Sequence, residues 1–379
     1  MQYRQFGNTE KMISALGFGC MRLPEYEEGG VWRIDEEKAI PMLLRAYEAG
    51  VNYFDTAFGY CHENSQYTLG RAAKSMERGQ IMIATKLPLG RVAKTEDFRR
   101  TLEIQLERLD MPTIDFYHFH GIDKRAMDEK IKPLGLMEEA RKAIGEGLIR
   151  HMSFSFHGDP KDMRYLIEQG EIFSSVLLQY NLLDRSNEEA IAYLAEKGLG
   201  VVAMGPVAGG RLAAPSTKLS QGIFKAKEPV ATYELALRFV LGNPNVSCAL
   251  SGMTSMDTVE KNLEIARAEP MGEKDFANAD AAMAEMKKLS DLYCTGCDYC
   301  MPCPRGIKIP RVFEAYTYHN VYGLSAHAKR MYGEIGGKEH AGRPVSECAE
   351  CGACEGKCPQ GIRIIEKLKE ADQTLAALA

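Results

Sequence analysis

Residues 51–60 read VNYFDTAFGY, a short β-rich segment that ends in polar side chains. Similar β-rich segments recur up to about residue 270, and amphipathic stretches with helical spacing lie between them. The predicted strands are residues 16–19, 51–55, 81–85, 114–119, 149–154, 175–179, 200–204 and 246–250. Eight strands that alternate with helices over this length predict an α/β fold, a (β/α)8 TIM barrel. Residues 1–14 predict a hairpin that plugs the bottom of this barrel.

The stretches between the strands carry their apolar residues on one face. One is residues 36–49, which Gly50 ends, and another is residues 95–109, which Thr95 can cap. Further helices are predicted at 134–145, 159–169, 186–197, 229–241, 254–266 and 274–292. A doubly wound open sheet is the alternative, and it would carry a G-x-G-x-x-G turn after its first strand. LGFGCMRLP at residues 16–24 lacks that motif, which favours the barrel.

The composition is that of a soluble globular chain, with 379 residues, 45% hydrophobic and 26% charged, and a formal net charge of −5. This length predicts two domains. A run of about 18 apolar residues is absent, so no membrane span is expected. The polar first residues lack the apolar centre of a signal peptide, and the mildly acidic balance disfavours nucleic acid as a partner.

The 11 cysteines are unevenly distributed, and eight of them fall between residues 294 and 358. A secreted disulfide-rich protein does not leave most of its length almost without cysteine, so we expect a cytoplasmic protein with a cysteine-ligated metal module. The first run is Cys294, Cys297, Cys300 and Cys303, and the second is Cys348, Cys351, Cys354 and Cys358. Both runs continue alike, as CPRGIKI and CPQGIRI, which indicates a duplication with two equivalent sites.

The second run matches the bacterial ferredoxin spacing for a 4Fe–4S cluster, in which the fourth cysteine ligates the other cluster. Two crossed ligand sets are therefore predicted: Cys294, Cys297 and Cys300 with Cys358, and Cys348, Cys351 and Cys354 with Cys303. The first run is one residue shorter before its last cysteine, which leaves cross-ligation by Cys303 open. Zinc is the alternative, but structural zinc sites usually combine C-x2-C pairs with a longer spacer.

The boundary between the two predicted domains falls at about residue 285. Residues 1–285 are predicted to form the barrel. Residues 286–379 are predicted to form a mainly helical ferredoxin-like iron–sulfur domain, because the stretch between the cysteine runs has helical spacing.

Four polar residues stand at the ends of neighbouring barrel strands. Asp55 and Tyr60 follow the second strand, Lys86 ends the third, and His120 ends the fourth. Active sites of (β/α)8 barrels lie at the carboxyl ends of the strands, so these side chains are expected to converge. Tyr60 is the candidate general acid, and the ammonium of Lys86 is expected to lower its pKa from about 10. Taken singly, each residue is more often structural, and the combination carries the prediction.

NYFDTAFGY, ATKLP and the end of DFYHFHG resemble the signature of the aldo/keto reductase family, and the resemblance extends from residue 1 to about residue 270. It implies a barrel that reduces carbonyl groups with NAD(P)H. The implied catalytic tetrad is Asp55, Tyr60, Lys86 and His120. The implied dinucleotide contacts are Ser155 and Gln179 at the nicotinamide, Gly205, Gly209 and Gly210 at the pyrophosphate, and Ser251, Gly252, Thr254 and Asn262 at the adenosine half.

The chain departs from the family pattern at the dinucleotide site. Members that prefer NADPH place Lys and Arg against the 2′-phosphate, where this chain aligns Gly252 and Thr258. Without those cations a 2′-phosphate is poorly neutralised, which predicts either NADH over NADPH or a weak nicotinamide site. Met204 also stands where an aromatic ring often stacks on the nicotinamide, and Phe156 follows Ser155 where asparagine is frequent.

Over its full length the chain resembles a subset of the family with an appended two-cluster ferredoxin domain. Nicotinamide transfers two electrons and clusters transfer one, so direct coupling needs a converter such as a flavin, for example FMN. We therefore expect an oxidoreductase that reduces a carbonyl or related unsaturated small molecule, with clusters that pass electrons to or from a partner protein or a bound flavin. The alternatives are a nicotinamide-only reductase with structural clusters and a non-catalytic electron-carrier or redox-sensing subunit.

Overall fold

The computed structural model describes residues 1–213, 215–224, 231–291, 294, 296–337, 341–358 and 361–378. The first residues of the predicted helix at 229–241, and Pro359 after the last cysteine, lie outside the described residues. Contacts divide the chain into a barrel unit, Met1–Ala208 with Ala236–Pro270, and a cysteine unit, Gly209–Leu235 with Met271–Ala379. The predicted boundary at residue 285 stays a prediction, and the contact division differs from it in assigning 209–235 and 271–285 to the cysteine unit.

Eight parallel strands close a barrel, and their order around it follows the chain. The strands of the chain are β1 (Tyr3–Gln5), β2 (Met12–Ser14), β3 (Leu16–Gly19), β4 (Glu25–Glu28), β5 (Val31–Ile34), β6 (Tyr53–Asp55), β7 (Met82–Leu87), β8 (Ile114–Ile122), β9 (Ile149–Phe156), β10 (Phe173–Gln179), β11 (Gly200–Met204) and β12 (Cys248–Gly252). Strands β3 and β6 to β12 form the barrel. Each of the eight predicted strands overlaps one of them, so the predicted barrel is confirmed.

Helices alternate with the barrel strands. They are α1 (Glu36–Glu48), α2 (Ser65–Ala73), α3 (Glu96–Leu109), α4 (Lys124–Ala126), α5 (Leu136–Gly145), α6 (Met163–Gln169), α7 (Glu188–Glu196), α8 (Thr217–Phe224), α9 (Thr232–Gly242) and α10 (Met256–Arg267). Helices α2, α4 and α8 are missing from the sequence predictions. The predicted cap of α3 is wrong, because the Thr95 hydroxyl donates to the Leu134 carbonyl at 2.8 Å and makes no cap hydrogen bond.

The antiparallel hairpin of β1 and β2 closes the amino-terminal end of the barrel, as predicted. Phe6 follows β1, is fully buried among the barrel side chains, and lies edge-on to Phe116 with ring centroids 4.8 Å apart. At Gly7 the backbone φ is +56°, and an added Cβ would come within 2.4 Å of the Gly200 nitrogen. A glycine is therefore needed where the hairpin meets strand β11.

A second antiparallel hairpin, β4 with β5, follows the carboxyl end of β3 and was not predicted from the sequence. Its strands are largely exposed, so they give no strong alternation of buried and exposed residues. The ring of Trp32 on β5 stacks on His62 with centroids 4.9 Å apart. This hairpin therefore contacts the loop that follows Tyr60.

The cysteine unit is mainly helical, as predicted. Besides α8 it contains α11 (Glu273–Asp291), α12 (Ile309–Asn320), α13 (Ser325–Gly333) and α14 (Ile364–Ala376). Helix α12 packs against both α13 and α14, with Val312, Ala315 and Leu368 buried. None of the helices within the described ranges is long and apolar enough to cross a membrane.

Candidate active site and thiol cavities

Lys86 and Asp55 form a buried ion pair at the carboxyl ends of neighbouring strands β7 and β6. The Lys86 Nζ donates to Asp55 Oδ1 at 2.5 Å and to the Thr56 carbonyl at 2.8 Å, and both charged side chains are almost fully buried. Parallel strands end at the same rim, which is why sequence-distant residues meet here.

Burial opposes the charges of both partners. It raises the pKa of Asp55, which Lys86 counteracts. It also opposes the charge of Lys86, but Asp55 and Tyr60 outweigh it and raise the pKa of the lysine. Lys86 binds two acceptors at once, which an ammonium does best, so we assign the charged pair.

Tyr60 lies over this pair, with the Lys86 Nζ 4.8 Å from the centroid of its ring. Burial raises the pKa of Tyr60, and the attraction of Lys86 only partly offsets that rise. The expected net lowering is therefore wrong, although the predicted contribution of Lys86 has the right sign. Tyr60 consequently keeps its proton through the neutral pH range.

His120, on β8, completes the set, and its ring is edge-on to Tyr60 with centroids 6.3 Å apart. Burial and the charge of Lys86 lower the pKa of His120 to about 4, so the imidazole is neutral at pH 7. His118, two residues earlier, is fully buried, with its Nε2 3.5 Å from the Tyr53 hydroxyl. The four predicted residues therefore converge, and His118 belongs to the barrel interior.

A cavity of about 600 Å³ adjoins His120. It is lined by the loop after β7 and by part of the segment that follows His120, including the charged residues Asp123, Arg125, Glu129 and Lys130. Its volume is in the range of small-molecule sites, which are typically about 300–1,000 Å³. The charged lining is a feature that the sequence predictions did not include.

The loop after Tyr60 has an unusual backbone. Cys61, His62 and Glu63 have φ values of +51°, +51° and +69°, in the left-handed region that side chains with a Cβ avoid. Each such residue costs about 1–3 kcal/mol and persists only when its surroundings hold it. The sequence offers no glycine or asparagine at these three positions, so the turn was not predicted.

Ser155 and Gln179 lie at the carboxyl ends of β9 and β10. The Ser155 hydroxyl accepts the N–H of Gly121 at 2.7 Å, so it also fixes the turn after His120. The side-chain amide of Gln179 donates to Asp184 at 2.5 Å. The Ser155 hydroxyl can donate to the oxygen of a carboxamide, and the side-chain oxygen of Gln179 can accept from its NH2 group. The pair therefore fits the carboxamide of a nicotinamide.

The three glycines predicted to meet the pyrophosphate are divided between the barrel unit and the cysteine unit. Gly205 lies in the barrel unit with φ +65°, close to Gln179. Gly209 and Gly210 lie in the cysteine unit with φ +66° and +92°, and an added Cβ at either would meet open space. Arg211, which follows them, donates to the Tyr318 hydroxyl of α12 at 2.5 Å.

The predicted adenosine contacts lie on β12 (Ser251 and Gly252), in the loop after it (Thr254) and in the middle of α10 (Asn262). Asn262 donates to the Ser251 hydroxyl at 2.8 Å, whereas Gly252 and Thr254 are exposed. The methylene stem of Arg22 lies beside Gly252, since an added Cβ there would be 3.5 Å from its Cδ. Arg22 is thus a cation on this rim that the sequence comparison with NADPH-preferring members left out.

Two small cavities in the cysteine unit are each lined by four thiols. One is lined by Cys294, Cys297, Cys300 and Cys358, and the other by Cys303, Cys348, Cys351 and Cys354. These are the two crossed sets expected from the spacing, and Cys303 lies with the second run. Within the described residues, no three Cys, His, Asp or Glu side chains come close enough to hold a single ion, so the thiols surround a space instead of meeting at one point.

The two cysteine runs also share a backbone path. Positive φ occurs two and four residues after the first cysteine of each run, at Gly296 and Asp298 and at Glu350 and Gly352. Burial, together with the neighbouring thiols, raises the pKa of Cys300 to about 11. Four thiols that repel each other as thiolates match the donor set of a cationic iron–sulfur group.

Known families match both parts of the chain. A model described as "Aldo/keto reductase family" matches residues 15–284, which include all four converging residues. A model described as "4Fe-4S dicluster domain" matches residues 293–363, which include all eight cysteines of the two runs. The first match alone covers well over half of the chain.

Individual proteins resemble the chain at moderate identity. L-galactose dehydrogenase of Arabidopsis thaliana is 28% identical in an alignment 322 positions long, which covers 76% of this chain and 97% of that protein. The uncharacterized oxidoreductase YqkF of Bacillus subtilis is 28% identical over 73% of this chain and 94% of its own length. The holo form of aldo-keto reductase AKR11C1 from Bacillus halodurans superposes with a TM-score of 0.64 at 27% identity, over 74% of this chain and 96% of that one.

Proposed function

The chain belongs to the aldo/keto reductase family, and we propose that it reduces a carbonyl or related unsaturated group of a small molecule with NAD(P)H at the carboxyl end of its barrel. The observation that carries this proposal is the buried Lys86–Asp55 pair beside Tyr60, with a neutral His120 facing the same ring. Burying a charge costs free energy even when a partner compensates it, and such perturbed pairs are concentrated at functional sites. Here the pair lies next to a proton donor, Tyr60.

The four side chains have distinct roles in the proposed reaction. A nicotinamide bound beside these residues would supply the hydride for the substrate carbon. The substrate oxygen accepts hydrogen bonds from Tyr60 and from neutral His120, and Tyr60 gives up its proton as charge develops on that oxygen. The Lys86 ammonium stabilises the phenolate that remains, and Asp55 holds Lys86 charged and in place. One hydride and one proton convert the carbonyl into an alcohol.

The dinucleotide is proposed to be held by the residues expected from the family resemblance. Ser155 and Gln179 hold the carboxamide, and the adenosine half lies along the start of α10. NADH remains the proposed preference because Gly252 and Thr258 carry no charge. Titration with both dinucleotides tests it, with Arg22→Ala as a second variant. Tighter binding of NADPH that disappears in Arg22→Ala would contradict the preference and assign the 2′-phosphate to Arg22.

Two 4Fe–4S clusters are proposed for the two thiol cavities, with Cys358 completing the first set and Cys303 the second. The cavity linings support this crossed assignment. Bound clusters supply one-electron transfer. We further propose that they exchange electrons with a partner protein, in a cytoplasmic setting that keeps the thiols reduced.

A bound flavin such as FMN is the proposed converter between single electrons and hydride. The residues around the barrel rim do not single out a flavin ring, so its test is chemical. Anaerobic purification followed by denaturation should release a yellow chromophore, and its absence would contradict this part. If folded, cluster-depleted protein retains full NAD(P)H-dependent turnover, the clusters are structural.

Tyr60→Phe tests the central proposal, and Tyr67→Phe, an exposed tyrosine on α2, is the matched control. Loss of the general acid should lower kcat on aldehydes and ketones by about 10²–10⁴-fold. Dinucleotide Kd and iron content should stay unchanged. Full activity in Tyr60→Phe would instead favour a non-catalytic electron-carrier or redox-sensing protein.

A further inference from the structure

The three left-handed residues directly after Tyr60 set the direction in which the chain leaves the general acid. Cys61, His62 and Glu63 all have positive φ without being glycine. Three such residues in succession require strong contacts from outside the turn. The identity of those contacts therefore indicates what fixes Tyr60.

Glu63, the last residue of the turn, is held by two guanidinium groups. Its carboxylate accepts a hydrogen bond from Arg108 of α3 at 2.7 Å and one from Arg91. The Arg108 side chain is only 12% exposed, so this pair is less screened by solvent than a surface ion pair.

Arg108 also holds the residue two positions before Tyr60. Its Nη1 donates to the Phe58 carbonyl at 3.2 Å, and its guanidinium lies 3.9 Å from the centroid of the Phe58 ring. Arg91 lies 4.4 Å from the same centroid, and Phe58 is buried. One arginine thus connects the chain on both sides of Tyr60.

We propose that Arg108 is a positioning residue for the reaction and that it acts through Tyr60. The inference rests on the proposed role of Tyr60 as the general acid. Tyr60 is partly exposed, and its phenol must lie within hydrogen-bond reach of the substrate oxygen. Arg108 fixes residues 58 and 63, so it fixes the backbone that presents this phenol. A displacement of about 1 Å at such a group can lower the rate about 10²-fold.

Arg108→Met is the first test, because methionine retains part of the apolar stem and removes both hydrogen bonds. We expect kcat to fall about 10- to 100-fold, as for a misplaced catalytic group, while dinucleotide Kd changes less than about twofold. Arg99→Met is the matched control, since Arg99 lies on the same helix and pairs with Glu146 at 2.6 Å. The control should retain its kcat.

Arg108→Lys separates positioning from folding. Lysine keeps the charge next to Glu63 but lacks the planar fork that reaches both Glu63 and the Phe58 carbonyl. Its kcat should therefore fall while its Tm stays close to that of Arg99→Met. The double variant Arg108→Met with Glu63→Gln should lose less kcat than the product of the two single fold-losses, because both substitutions break the same contact.

Tyr60→Phe, measured in parallel, distinguishes the two hypotheses. If Tyr60→Phe is inactive but folded Arg108→Met and Arg108→Lys both retain the kcat of Arg99→Met, the positioning role is wrong. If Tyr60→Phe is fully active, the proposed function itself fails. If kcat falls in both Arg108 variants together with a large change in dinucleotide Kd, Arg108 acts on the site as a whole and the specific assignment to Tyr60 is overturned.

Discussion

In the barrel unit a buried ammonium faces a buried carboxylate, whereas in the cysteine unit four thiols face one another across each cavity. Lys86 and Asp55 are almost fully buried on strands that the sheet holds in register. Cys297 and Cys351 are exposed and lie in turns with positive φ beside them. The barrel therefore balances its own charges, while four thiolates in one cavity would need a bound cationic group to balance theirs. One site is preorganised by the fold, and the other is expected to depend on its cofactor.

Lys86→Met should have the largest effect on the barrel unit, on both its stability and its turnover. Removing one partner of a buried ion pair leaves Asp55 uncompensated and should cost about 3–5 kcal/mol in unfolding free energy. Turnover should fall about 10³-fold or more, since the phenolate of Tyr60 loses its stabilising cation. Iron content should not change. Lys74→Met is the control, because Lys74 forms an exposed pair with Asp110. Unaltered turnover in folded Lys86→Met would refute the assigned role.

Single cysteine substitutions test which thiols of the cysteine unit hold each proposed cluster. Cys303→Ala and Cys358→Ala should each lose about half of the bound iron, because each proposed set holds one of two clusters. Cys248→Ala, at a buried barrel thiol, should retain all of it. Iron analysis and electron paramagnetic resonance of the reduced proteins provide the measurement. Retention of full iron in Cys303→Ala would show that this residue is not a ligand.

Phe6→Ala tests whether the two units respond independently. Truncating a fully buried phenylalanine typically costs about 3–5 kcal/mol. Urea unfolding followed by far-ultraviolet circular dichroism should show this loss for the barrel unit, while the cluster absorbance at low urea stays unchanged. Cluster loss in Phe6→Ala without denaturant would contradict independent behaviour.

Mild acid should lower the unfolding free energy of both units, and this is the smallest of the expected effects. Burial is the main cause that lowers the pKa of both His120 and His327 to about 4, below the usual value of about 6.5. Stability from such groups is present above pH 6.5 and is lost as the pH falls towards 4. Lowering the pH from 7 to 5 should therefore reduce the unfolding free energy, by about 1–2 kcal/mol per histidine. His120→Gln and His327→Gln should each remove part of this slope, and an unchanged slope in both would refute it.

Much of the barrel is readable from local sequence because strands and helices repeat a simple pattern. Polar residues at successive strand ends converge in any closed parallel barrel, which is why Asp55, Lys86 and His120 were found together. The left-handed turn after Tyr60 could not be predicted, since its residues carry no signal for positive φ and its last residue, Glu63, is held by Arg108, which is remote in sequence. The direction of the Tyr60 pKa was missed because burial is a property of the assembled site.

The sequence alone determined the eight strands, the plugging hairpin and the two cysteine runs, because periodicity and spacing are local properties of the chain. It predicted the crossed grouping of the cysteines but left the place of Cys303 open, and the folded cysteine unit puts Cys303 with the second run. The tertiary structure decided which forces dominate at the site. Burial outweighs the charge of Lys86 and raises the pKa of Tyr60. The hydrogen bonds of Arg108 to Phe58 and Glu63 outweigh the local backbone preference on either side of Tyr60. The tertiary structure also assigned the segment 209–235 to the cysteine unit. Burial, long-range ion pairs and unit membership depend on residues far apart in the chain, so only the folded molecule defines them.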